Sequence, residues 1–169
     1  MLIKTYGLYW NPEIIYWGNR GPGNKGRLMG KIEDSGQVVD LWDQIGIYVL
    51  YKEYSVVYVG QAYENDLGKR MRDHLKDRHR GRWDSLSWFG MRNVNKDGRL
   101  SKNRKGTRQI SSGQITSALE AIMIEVIDPP LNRRHEKVKG ARFIEQFQEE
   151  GMLTDSQKID AIFMGIVDH

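Results

Sequence analysis

Residues 46 to 60 read GIYVLYKEYSVVYVG and set two phenols, Tyr48 and Tyr58, on neighbouring strand-like runs joined through Lys52-Glu53. A tyrosine in a strand commonly does no more than pack, so any chemistry depends on what joins it. The next stretch, LGKRMRDHLKDRH, repeats Leu67, Met71 and Leu75 at a spacing of four, one apolar stripe of a helix. Arg70 and His74 lie one turn apart on the border of that stripe. Farther on, ITSALEAIMIEVI gathers Ile115, Leu119, Ile122, Met123 and Val126 on one arc, with Glu120 at one margin and Glu125 at the other. A carboxylate beside that much apolar surface needs a cation, a hydrogen-bond donor or a metal.

Two phenols, a guanidinium, an imidazole and a helical carboxylate suit phosphodiester hydrolysis. A hard divalent ion can bind through one carboxylate, waters and substrate phosphate, and steady the departing oxygen. Arginine neutralises charge that builds on the phosphoryl oxygens. A tyrosine can take a proton from water only if nearby positive charge lowers its pKa from roughly 10.

The elements that must hold these groups follow from local signals. TYGLYW and IIYWG read as short strands around the turn Asn11-Pro12, and LMGKIED and QVVDLW as two more around Ser35-Gly36. Residues 1–43 are therefore expected to form a small β-rich extension. RWDSLSWFGMRNV reads as the strand after the Arg70 helix. Ser111, with Gln114 three residues on, marks a helix start, and Pro129-Pro130 stop that helix near Asp128. ARFIEQFQEEGML and QKIDAIFMGIV read as two terminal helices. The expected division is an extension over 1–43, a principal domain over 44–135 and a helical tail over 136–169 packed on it.

Bulk properties narrow the class. The chain has 169 residues, enough for one domain with an extension, and no cysteine, which excludes disulfides and thiolate zinc sites and agrees with a cytoplasmic setting. It has no run of apolar residues long enough for a membrane span and no signal-peptide pattern at the N-terminus. The net charge is only +4, but residues 69–108 hold fourteen Lys or Arg against four Asp, whereas 136–169 hold four against seven Asp or Glu. A cationic centre suits a polyphosphate partner. Its candidate contacts are Lys69, Arg72, Arg78, Arg80, Arg82, Lys102, Arg104 and Lys105.

Taken in order, Gly46-Ile47-Tyr48, Tyr58-Val59-Gly60, Lys69-Arg70 with His74, Ala118-Leu119-Glu120 and Pro130-Leu131-Asn132 resemble the motifs of the GIY-YIG nuclease family across residues 45–135. The second motif departs from it by a valine, and the loop before Leu67 is longer than in some relatives. The resemblance implies an α/β fold of the α+β type, with a small central three-stranded antiparallel sheet flanked by helices. It implies an endonuclease with one Mg²⁺ or Mn²⁺ on Glu120 and a water activated or oriented by Tyr48. Tyr58 would support Tyr48, Arg70 would bind the scissile phosphate, His74 would assist proton transfer or positioning, and Asn132 would keep the site in order. His79 stands outside this set.

The implied substrate is double-stranded DNA, with RNA or branched DNA as alternatives. A homodimer is open, because one site cuts both strands only as a pair or in two visits. A non-catalytic nucleic-acid-binding module on the same fold is the competing reading. For Tyr48 and Tyr58 to share a site, the hairpin must have an odd loop or a bulge, since an even, regular loop turns them to opposite faces.

Overall fold

The computed structural model describes residues 2–18, 25–102, 110–130, 132 and 138–148. Its centre is one seven-stranded mixed sheet with the strand order β3-β2-β7-β1-β6-β4-β5. The strands are β1 (Thr5–Trp10), β2 (Met29–Ile32), β3 (Val38–Asp40), β4 (Gly46–Lys52), β5 (Ser55–Ala62), β6 (Ser85–Gly90) and β7 (Arg142–Gln146). Two α-helices accompany them among the described residues, α1 (Leu67–His74) and α2 (Ser112–Ile127).

This corrects the expected α/β fold with a small three-stranded sheet flanked by helices. The antiparallel set β6-β4-β5 is present, but it is one end of a larger, mostly β structure. The reason lies at β6, whose second edge pairs antiparallel with β1 from Thr5↔Gly90 to Trp10↔Leu86, so the N-terminal strands continue the sheet. A second correction concerns the tail. Residues 142–146, expected in a helix, form β7, parallel to β1 and antiparallel to β2. Two waiting strand edges satisfy this backbone, while Ile144 and Phe143 enter the cores on opposite faces. The rest of the expected tail helices lies outside the described residues. The run expected as the strand IIYWG instead holds a 3₁₀ turn, Pro12–Ile14, capped by Asn11, and a single bridge from Tyr16 to Arg27.

The two faces of the sheet carry different cores. Opposed residues share a face. Tyr48 lies opposite Trp88 and Gly60, and Leu50 opposite Leu86 and Tyr58. These side chains pack with Leu67 and Met71 of α1. Ile47 lies opposite Phe89, and Phe89 opposite Tyr6. Phe89 and Tyr6 pack with Ile3, Val138 and Ala118 of α2. So α1 covers one face and α2 the other.

Among the described residues, no helix is long and apolar enough to cross a membrane.

Candidate functional site

The hairpin β4–β5 sets the floor of the site. Its turn has two residues, Glu53 and Tyr54, both in the left-handed region at φ 50° and 65°. An unbroken ladder from this turn would oppose Tyr58 to Val49 and turn it away from Tyr48. The register instead slips at Val57: Tyr51 pairs with Val56, but Leu50 pairs with Tyr58 and Tyr48 with Gly60. This bulge returns Tyr58 to the Tyr48 face, with ring centroids 6.1 Å apart.

Both glycines of the two motifs have steric duties. A Cβ on Gly60 would lie 2.3 Å from the Tyr48 phenol, so the ring occupies the room a side chain there would take. A Cβ on Gly46 would lie 2.0 Å from the Phe89 carbonyl oxygen, so the start of β4 tolerates no side chain against β6.

Helix α1 brings the guanidinium and the imidazole. Leu67 and Met71 bury in the core and carry Arg70 and His74 over the hairpin. His74 is 1% exposed, and its Nε2 is 2.8 Å from the Tyr48 hydroxyl. Its other nitrogen, Nδ1, is 2.7 Å from Oδ2 of Asp77. The second Asp77 oxygen, Oδ1, accepts the backbone N–H of His79 at 2.7 Å. The Tyr58 ring lies 5.3 Å from His74 and 4.5 Å from His79, and the two imidazoles stand edge-on at 4.9 Å. Arg70 lies close enough to the Tyr48 phenol for its charge to act on it, and Gln61, Tyr63, Glu64 and Asn65 line a hollow of about 290 Å³ with Arg70.

Burial favours the neutral forms of Tyr48 and His74 beside the charges of Arg70 and Asp77. Burial pushes the Tyr48 phenol up to about 12; the Arg70 charge opposes this without prevailing, and Tyr58 adds to the rise. Tyr48 is thus a phenol at neutral pH, contrary to the condition that nearby positive charge lower its pKa. Burial also moves His74 below its ordinary value, against the upward pull of Asp77. Slight desolvation raises Asp77, but the His79 N–H and His74 outweigh it, and the carboxyl lies below its usual range.

The structure gathers Tyr48, Tyr58, Arg70 and His74 and does not bring Glu120 to them. Glu120 is exposed on α2, which packs by Ala118, Ala121, Ile122 and Val126 on the opposite face of the sheet. Two residues from Ala118, it points about 200° around the helix from that contact. Glu125 lies nearer the sheet: burial raises Tyr6, Tyr9 and Tyr51, and the Glu125 charge adds to each rise. Asn132 is exposed, and its backbone N–H donates to the Pro129 carbonyl at 3.0 Å. A Mg²⁺ or Mn²⁺ ion held by Glu120 therefore does not fit beside Tyr48 in this arrangement.

One group of ligand type lies at the site itself. His74, Asp77 and His79 bring one donor atom each within 4.8 Å of one another. A metal there would have to displace His74 from Tyr48 or from Asp77, because both ring nitrogens are taken.

The expected nucleic-acid contacts divide. Arg72 sits 5.4 Å from the centre of the Trp42 ring, a cation–π contact that anchors α1. Lys69 donates to Asn65, and Arg78 to His79 Nε2. Arg80, Arg82 and Lys102 are exposed, and Arg104 and Lys105 lie outside the described residues. Reading the sequence missed Asp77. The signal was the spacing His74-Leu75-Lys76-Asp77, three apart at the end of a helix, which lets the two side chains meet.

No protein-family model, curated protein or solved structure matches the chain.

Proposed function

We propose that this protein hydrolyses phosphodiester bonds of nucleic acid, with double-stranded DNA as the substrate, as its resemblance to the GIY-YIG nucleases implies. The observation that carries the reading is the meeting of the buried pair Tyr48 and His74 with Arg70, which also lines an open hollow. Arg70 links the two, since its charge acts on the buried phenol and the residue lines the hollow. A phosphate entering there draws the guanidinium off Tyr48 and uncovers Oη to a water molecule.

The water oxygen then bonds to phosphorus as the bond to the leaving oxygen breaks. The water proton passes to Tyr48 Oη while the phenol proton moves to His74 Nε2. The leaving alkoxide takes a proton from solvent; His74 then returns its proton to Tyr48 Oη, and Tyr48 releases the proton it took from the water to solvent, which restores both groups. A relay of this kind accommodates a phenol too weakly acidic to work as a phenolate, and Arg70 meets the charge on the phosphoryl oxygens. No step is routed through an ion at Glu120.

A second reading is favoured by two specific observations, the burial of Tyr48 and the distance of α2 from it: a module that binds nucleic acid and does not cut it. Incubation of end-labelled duplex DNA with the full chain in Mg²⁺ and in Mn²⁺ separates the two. Hydrolysis yields products with one phosphate and one hydroxyl end, and Arg70→Ala lowers the rate by on the order of 100-fold or more. Salt-sensitive binding without products is the signature of the second reading.

A further inference from the structure

We infer that Asp77 is a positioning residue for the Tyr48–His74 pair: it holds His74 as the Nδ1–H tautomer and so leaves Nε2 to accept the phenol proton. A carboxylate has only acceptors. The 2.7 Å contact of Asp77 Oδ2 with His74 Nδ1 therefore needs the proton on that nitrogen. A neutral imidazole carries one such proton, so Nε2 presents its lone pair, and the only proton in the 2.8 Å contact with Tyr48 is the phenol's. Burial favours the neutral ring, and so do the second imidazole of His79 and the guanidinium of Arg70 on α1; the other groups that face it are the phenols of Tyr48 and Tyr58 from the hairpin.

Asp77 is itself fixed before any substrate arrives. Its backbone N–H donates to the Asp73 carbonyl at 3.1 Å, which continues α1 by one turn, and its Oδ1 takes the His79 N–H. When His74 gains the phenol proton, the new positive charge forms beside a carboxylate already in place. The catalytic consequence rests on the hydrolytic reading above; the tautomer does not.

The test uses the isotope-labelled full chain without substrate. Long-range proton–nitrogen correlation reads the tautomer of each of the four histidines, and His74 is assigned by the signal lost in His74→Gln. The expected result is a neutral His74 protonated at Nδ1. Asp77→Asn keeps an oxygen for the His79 N–H but turns an amide donor toward Nδ1. His74 should then shift to the Nε2–H form, and cleavage should fall by on the order of 100- to 10,000-fold. An Nε2–H tautomer in the unmodified protein, or an unchanged tautomer in Asp77→Asn, overturns the inference. So does Mn²⁺ that selectively broadens His74 and His79 at micromolar concentration, since the trio would then be a metal site. A protein that shows the Nδ1–H form and its loss in Asp77→Asn but cuts nothing upholds the positioning and rejects the hydrolytic reading alone.

Discussion

The Tyr48 phenol has no exposed surface, and burial holds it at about 12, so its proton leaves only if a neighbour takes it. The neighbour within reach is His74. Because burial lowers His74, its neutral form is favoured in the folded protein. The contribution is complete above the ordinary histidine value and is lost as pH falls through the lowered one. The cleavage rate should therefore rise with pH through one ionisation below 6.5, with no further rise between about pH 9 and 11, where an ordinary phenol would ionise. A rate profile over pH 5 to 11 measures this, and a rise on the alkaline side would mean that Tyr48 acts as a phenolate. Tyr48→Phe leaves His74 Nε2 buried without a partner, at a cost of about 1–3 kcal/mol by thermal unfolding. A much larger loss would mean that the fold, rather than the chemistry, needs the hydroxyl.

At the scale of elements, the bulge at Val57 and the space at Gly60 decide what the hairpin presents. Val57 has no partner in the ladder, so its deletion restores a regular hairpin and still leaves Tyr58 opposite Leu50. The contact of Tyr58 with His74 should survive, as read from nuclear Overhauser effects between the two rings. Gly60→Ala should push the Tyr48 phenol aside at a cost of about 1–3 kcal/mol in unfolding free energy, with most of the cleavage lost as well. A Gly60→Ala protein of unchanged stability and activity would contradict the close packing described here. Local signals made these parts legible from sequence. The aromatic alternation marked β4 and β5, the spacing of four marked α1, and the capping box of Ser111 with Gln114 marked the start of α2. The apolar arc of α2 is not its packed face, because Ile115, Leu119 and Met123 are exposed while Ala118 is buried against the sheet. Periodicity reports that a helix has an apolar stripe and not which part of it meets the sheet.

The whole molecule was less legible, because its sheet is closed by pairings remote in sequence. Thr5 meets Gly90, and Ile144 meets Ile32. Nothing near RFIEQ in sequence announces the two edges that await it, and tertiary pairing overrides local pattern there. The same sheet separates α1 from α2, which keeps Glu120 from the phenols that its order in the chain suggested it would join. The exposed Arg78, Arg80 and Arg82 follow α1 in one turn beside the site. Replacing all three by alanine should weaken duplex binding and flatten its salt dependence by about one unit of log–log slope per lost phosphate contact, measured by fluorescence anisotropy at several salt concentrations. An unchanged slope would move the nucleic-acid surface elsewhere. The most direct test of the central claim compares the unmodified chain, Tyr48→Phe and His74→Gln on supercoiled plasmid in Mg²⁺. The expected result is nicked or linear DNA from the first, and cleavage reduced by on the order of 100-fold or more in both variants while they remain folded. Intact plasmid from the unmodified chain, or cleavage by Tyr48→Phe at its full rate, would contradict it.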